Sequence, residues 1–195
     1  MTIKERLESA IGERRLLDHP FYRSWRAGTL PVAALRTYAA EYGALIDAID
    51  DGWETVGEFE HAAEERHHAE LWNRFAGEFG TAIAAPEVPE VTAMLAAARR
   101  LFAEPETAWG ALYAFEAQQP ATAAEKLAGL VAHYGLAADS PGVEYFRVHA
   151  SDYHEADQIV TSLESIAGDG PAVAACAEMS GALWDALSGI HDRHC

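Results

Sequence analysis

This chain of 195 residues predicts an all-α fold, a compact bundle of seven to eight helices. Three observations predict it. Apolar residues recur at spacings of three and four almost throughout. Strict apolar–polar alternation, the mark of a half-buried strand, is hard to find. Proline and glycine cut the chain into helix-length pieces.

The first helix reads from about Ile3 to Leu17. His19-Pro20 stops it, because proline disfavours helix in the residue before it. Phe21-Tyr22-Arg23-Ser24-Trp25 reads as an aromatic connection. Gly28-Thr29-Leu30-Pro31 starts a second helix, since proline suits a first helical turn. That helix carries Leu35, Tyr38, Tyr42, Leu45 and Ile46 on one face and weakens near Asp50-Asp51-Gly52. A third runs from about Glu58 to Phe79 and ends at Gly80, a good C-cap. After a loop at Ala84 to Pro89, a fourth spans about Val91 to Ala103. Glu104-Pro105-Glu106-Thr107 opens a fifth through Ala117; Pro120 kinks or divides it, and it resumes to Tyr134-Gly135. Ser140-Pro141 starts a sixth, to about Ala167, and Asp169-Gly170-Pro171 begins the last, through Leu187. The loops are short enough for one domain over residues 1–195.

Half of the residues are hydrophobic and the charges are spread, which is globular composition. A net charge of −17 repels nucleic acid and anionic membrane, so neither is expected as a partner. Cys176 and Cys195 form no CxxC pair, and the charged start reads as a helix rather than a leader. No apolar run approaches the ~20 residues of a membrane span. The expected location is cytoplasmic.

The third helix holds His61, Glu64, Glu65 and His68 on a face shared with Leu71, Trp72 and Phe75. A buried carboxylate beside a buried imidazole is costly unless the groups pair or bind a metal. The Glu65–His68 spacing of three is one that metal-binding helices use. The alternative is an amphipathic helix with a wide polar face. On the fifth helix Glu116 sits among Leu112, Tyr113 and Phe115, either paired in the core or a ligand. On the sixth, Phe146, His149, Tyr153, Ala156, Val160 and Leu163 form an apolar stripe, so His149 faces inward. Asp152 lies at the edge of that face, and His154 looks toward solvent. Three helices thus each supply an inward His or Glu. Imidazole with carboxylate suits iron or manganese acting on oxygen.

The segment His19-Pro-Phe-Tyr22-Arg-Ser-Trp25-Arg-Ala-Gly28-Thr-Leu-Pro31, with Tyr38-Ala-Ala-Glu-Tyr42, resembles the opening of the TenA/PQQ-synthase-like proteins, which have the heme-oxygenase-like fold. His68-Ala-Glu-Leu-Trp72-Asn-Arg-Phe75 is similar to their third-helix motif. Ala111-Leu-Tyr-Ala-Phe-Glu116-Ala-Gln-Gln-Pro120, Lys126 and Tyr145-Phe-Arg-Val-His149 look closest to the branch of the Chlamydia protein associating with death domains and its bacterial relatives. The resemblance implies a seven-helix bundle around a cavity with a dimetal, oxygen-activating site. It also implies synthesis of 4-aminobenzoate at the expense of one of the protein's own tyrosines, with an internal lysine. The tyrosine motif matches at Tyr22, with a second match at Tyr38, and the lysine at Lys126.

The departures are specific. The branch has a Glu and a His seven apart on the third helix; here the His is His68 and the Glu position holds His61, leaving Glu64 or Glu65 to substitute. The stretch between the second and third helices looks shortened. On the sixth helix the branch has His, Asp four on and His seven on, and counting from His149 gives Tyr153 and Ala156. Asp152 and His154 take over only if the helix is distorted. His68, Glu116 and His149 carry over; a mononuclear site, a rearranged dimetal site and no metal all stay open.

The expected function is an oxidase or oxygenase that uses one or two irons, or manganese, with molecular oxygen as co-substrate and a small organic molecule as substrate. Tyr22, Tyr38, Tyr42 and Tyr153 would shape the pocket or undergo redox chemistry. Two alternatives remain: a metal-free enzyme of the TenA/PQQ-synthase kind, and an inactive ligand-binding bundle. The thiaminase version lacks its cysteine, since Trp109-Gly-Ala-Leu-Tyr113 contains none. A homodimer is expected by base rate.

Overall fold

The computed structural model describes residues 1–166 and 168–195, and among them there is no strand. Helix α1 (Ile3–Ile11) begins on a reciprocal cap in which Thr2 Oγ1 accepts the Glu5 N–H and the Glu5 carboxylate accepts the Thr2 N–H. It stops at Gly12, where φ is +53°. The helix expected to reach Leu17 therefore ends early, and a 3-10 turn follows at Leu16–Asp18.

Phe21–Trp25 is helix rather than a connection. The proline that ends one helix occupies the first turn of the next, α2 (Pro20–Arg26), and His19 Nδ1 caps it by accepting the Phe21 N–H at 3.0 Å. The expected second helix is a composite: α3 (Val32–Thr37), a π turn at Tyr38–Tyr42, α4 (Gly43–Ile46) and α5 (Ile49–Thr55). Two carbonyls of the π turn take outside partners. Ala39 accepts from Trp72 Nε1 at 2.8 Å and Ala40 from the Ala84 N–H at 3.0 Å. The Glu41 carboxylate holds the same turn to the following loop through the N–H groups of Glu87 and Val88.

Helices α6 (Phe59–Glu78) and α7 (Pro89–Phe102) lie close to expectation, and Pro120 divides α8 (Pro105–Glu116) from α9 (Gln119–His133). The expected sixth helix is broken. A 3-10 turn (Pro141–Val143) leads into α10 (Glu144–His149), and α11 (His154–Glu164) starts only after a non-helical step. No proline or glycine marks the step. Side chains make it: Asp152 accepts the His154 N–H at 3.1 Å, a local bond that competes with helix. The expected end at Ala167 lies outside the described residues. Helix α12 (Gly170–His194) continues past Leu187.

Helix α8 is the centre of the bundle. Every residue from Ala108 to Glu116 is buried, as expected of a helix surrounded by others. Helices α7 and α12 lie along it. Gly110 permits the close approach of α12, because a Cβ there would stand 1.8 Å from the Ala172 carbonyl oxygen. One apolar cluster takes in residues from Ile3 to Ile190. Among the described residues no helix is long and apolar enough to cross a membrane.

Two glycines make opposite predictions. Gly110→Ala should force α8 and α12 apart and lower stability by ~1–3 kcal/mol or more. Gly77, on α6 with nothing within 4 Å of its added Cβ, should gain about 0.5–1 kcal/mol on conversion to Ala. Thermal unfolding of both variants checks the packing.

Candidate metal centre

The amphipathic phase of α6 buries His61, Glu65, His68, Trp72 and Phe75 along one face. Glu65 Oε1 lies 3.1 Å from His68 Nδ1. His149, at the end of α10, brings its ring to 4.3 Å from that of His68. Its Nδ1 sits 2.7 Å from the backbone carbonyl of Tyr145. A carbonyl only accepts, so Nδ1 donates and Nε2 keeps a free lone pair. Burial, with His68 beside it, lowers the His149 pKa to about 3, so the ring stays neutral. For His68 burial works downward, but the Glu65 carboxylate outweighs it and the net shift is upward. One donor atom each from Glu65, His68 and His149 lie within 4.8 Å of one another.

The break after α10 builds a second trio. Asp152, His154 and Glu155 also place donor atoms within 4.8 Å of one another. The Glu116 carboxyl at the end of α8 senses both groups. Burial pushes its pKa well up, Glu65 and Glu155 add to this, the Trp53 indole opposes it and Asp152 contributes further. Glu116 Oε1 has no hydrogen-bond partner although it is buried. Burial, Asp152 and Glu65 also raise Glu155. An acid held inside beside other acids, with an orphaned oxygen and neutral imidazole close by, fits a bound cation. The donors are nitrogen and oxygen without sulfur, which suits iron or manganese. A cleft of about 460 Å³ opens onto His68, His149, Asp152, His154 and Glu155.

Of the residues singled out in the sequence, Glu65, His68 and His149 come together in the first trio and Asp152 in the second, while buried Glu116 feels the charges of both. His61 and Glu64 belong to neither trio, although Glu64 lines the same cleft and the His61 ring lies 5.1 Å from that of His154. His61 Nε2 pairs with Gln158 Oε1 at 2.7 Å, its ring lies 4.7 Å from Trp53, and its Nδ1 faces Glu64 at 3.5 Å. The Glu64 side chain is 61% exposed. Sequence reasoning missed Glu155 and placed His154 in solvent; His154 is exposed, yet it belongs to the second trio. A signal for Glu155 existed. The branch pattern separates its last two ligands by three residues, and Asp152 and Glu155 keep that spacing one position early. Tyr153, expected on the inward stripe, is 53% exposed because the break rotates it outward.

The tyrosines and lysine form an adjoining chamber. Lys126 Nζ, on α9, lies 5.8 Å from the ring centroids of Tyr22, Tyr38 and Trp72 and 5.4 Å from Phe146. Gly129 lets Trp25 pack against α9, where its indole donates to the Lys126 carbonyl at 3.3 Å. No described acid pairs with the Lys126 amine, and burial lowers its pKa from 10.5 to about 7. Burial raises Tyr22, Tyr38, Tyr42 and Tyr145, so all four are protonated phenols. The Tyr38 hydroxyl makes no hydrogen bond of normal geometry. Rings join the chamber to the cluster: Tyr38 to Trp72 at 5.5 Å, Trp72 to Tyr145 at 4.9 Å and Tyr145 to His149 at 4.3 Å.

The lysine makes a pH prediction. Unfolded Lys126 binds a proton that the folded state sheds, so folded stability rises with pH from about 7 to about 10.5. Lys126→Met should therefore stabilise the metal-free protein most below pH 7, and the gain should fade toward pH 10.5. Denaturant titrations across that range measure it.

Residues 51–185 match the family described as iron-containing redox enzyme. A 4-aminobenzoate synthase of Nitrosomonas europaea is 31% identical over an alignment of 230 positions, covering 100% of this chain and 93% of that protein. A 4-aminobenzoate synthase of Chlamydia pneumoniae is 30% identical, covering 95% of this chain and 93% of that protein. The first alignment is longer than this chain, so this chain is shortened relative to the Nitrosomonas protein. Among solved structures, a TenA homologue from Pseudomonas syringae superposes with a TM-score of 0.76 at 16% identity, covering 95% of this chain and 89% of that one. A TenA homologue from P. horikoshii superposes with 0.73 at 15% identity over the whole of both chains. These two likenesses establish the heme-oxygenase-like helical fold. With the family match over more than half its length and relatives of about one-third identity, this chain is an enzyme that belongs to the iron-containing redox enzyme family.

Proposed function

We propose that this enzyme makes 4-aminobenzoate from its own side chains, with iron held at the histidine–carboxylate cluster and molecular oxygen as co-substrate. The observation that carries the reading is the buried lysine–tyrosine cluster. An unpaired buried amine and two buried phenols stand together, joined by contacting rings to a nitrogen–oxygen donor set. The names of the Nitrosomonas and Chlamydia relatives point the same way. A cleft that reaches His149 argues against a sealed, inactive bundle.

Glu65, His68, Glu116, His149, Asp152 and Glu155 would hold the metal, with His154 at the open side. Iron there would supply the capacity to reduce oxygen. His149 offers Nε2 because its other nitrogen is fixed on a carbonyl. Glu65 orients His68. Glu116, buried with an unpartnered oxygen, would bind as the carboxylate, its proton being released on metal binding. Lys126, with its pKa lowered to about 7, has a substantial neutral fraction near neutral pH and would supply the nitrogen. Tyr22 or Tyr38 would supply the ring. Packed aromatic walls keep water from the reacting groups.

Two measurements test this. Protein carrying ¹⁵N-lysine and ¹³C-ring tyrosine, loaded with iron(II) and given oxygen with no other substrate, should release doubly labelled 4-aminobenzoate, at most one molecule per chain. Lys126→Met should release none. Absent or unlabelled product rejects the reading. Separately, His68→Ala and Glu155→Ala should weaken iron binding by about 10-fold or more, with His61→Ala and Glu64→Ala near wild type. Metal analysis after dialysis decides that ligand set.

A further inference from the structure

We infer that Trp72 and Tyr145 are an electron relay, carrying one electron at a time from the Tyr38 phenol to the histidine–carboxylate cluster. This rests on the reading above, because it supposes that a chamber tyrosine is oxidised. The geometry assigns the route. Tyr38, Trp72, Tyr145 and His149 make successive ring contacts at 5.5, 4.9 and 4.3 Å, each close to van der Waals touch. All four side chains are buried. Trp72 also touches Phe75 and Phe146, which are much harder to oxidise than indole or phenol. Its remaining ring neighbour, Tyr42, lies farther off at 6.3 Å. The relay therefore has one well-contacted oxidisable partner on each side.

The Tyr38 phenol loses one electron and one proton and becomes a neutral phenoxyl. The proton goes to the Lys126 amine, the one unpaired base beside the ring, whose nitrogen lies 5.8 Å from the Tyr38 ring centroid and must swing toward the unpartnered hydroxyl to take it. The electron goes to dioxygen, the terminal oxidant, at the cluster. Trp72 and Tyr145 end unchanged. Two anchors keep the relay rings in place. The Trp72 indole N–H is tied to the Ala39 carbonyl at 2.8 Å, and the Gln119 carboxamide donates to the Tyr145 hydroxyl oxygen.

Trp72 therefore has two roles to separate, since its bond to Ala39 also supports the π turn that bears Tyr38. Tyr145 has no bond to that turn, and its one hydroxyl partner, Gln119, lies on α9. The experiment mixes iron(II)-loaded protein with oxygen, freezes it at intervals and follows the phenoxyl signal by electron paramagnetic resonance, with iron content measured on the same samples. Wild type should form the signal. Trp72→Phe and Tyr145→Phe should each slow it by an order of magnitude or more at unchanged iron content, and Trp72→Tyr, which restores an oxidisable ring, should recover much of the rate. If both Phe variants form phenoxyl at the wild-type rate, the relay is overturned. If only Trp72→Phe is slow, Trp72 acts by holding the π turn, and the relay is equally overturned. If circular dichroism shows Trp72→Phe unfolded, Tyr145→Phe decides alone. If wild type itself forms no phenoxyl and no oxidised tyrosine is found by peptide mass mapping, the reading under the previous heading fails instead.

Discussion

A carboxyl group buried without a partner is the constraint on which the rest of this molecule turns. Glu116 closes a helix that is enclosed along nine consecutive residues, so its side chain is buried and its Oε1 has no hydrogen-bond partner. Its place at the negative end of the α8 dipole makes ionisation costlier still. An uncompensated charge there would cost several kcal/mol, more than most single interactions return. The structure answers with a Glu116 lifted by burial, a His149 held neutral, and a Glu65 carboxylate 3.1 Å from His68 Nδ1. Such a group of acids and imidazoles is tense when empty and relaxed when a cation is present. A metal bound here would couple its binding to folding through the Glu116 side chain.

Much of this was legible in the sequence, because the signals were periodic. The phase of α6 pointed Glu65 and His68 inward, the apolar run of α8 enclosed Glu116, and Pro120 divided α8 from α9. What escaped were features without periodicity. The step between α10 and α11 contains neither proline nor glycine. It arises from Asp152 taking the His154 N–H, and that choice is visible only once the two segments are placed. Carrying the helix through rotated Tyr153 inward on paper and hid Glu155. His61 misled for the opposite reason, since its position was right in phase but Gln158, from another helix, holds its ring. Proline before Phe21 was read as an end, yet it served equally as a beginning.

The broken helix and the divided one do the same work. Each time the chain leaves helical geometry near the centre, side chains from adjacent turns that would diverge can converge. The gap at Pro120 frees Gln119 to meet Tyr145 and starts α9 in the phase that turns Lys126 inward. The step after His149 gathers Asp152, His154 and Glu155. Regular helix supplies the walls, and its interruptions supply the chemistry.

The π turn at Tyr38–Tyr42 has a consequence for how this chain can change over time. Such a turn is an α-helix with one surplus amino acid wedged into it. Removing any single codon from that stretch would relax the segment to plain α-helix and swing the residues upstream by about 100° against those downstream. Tyr38 would leave the Lys126 amine without a single substitution inside the chamber. Inheritance of this architecture is thus guarded by reading length as much as by residue identity, and an alignment that closes a one-position gap there would erase the feature it should preserve.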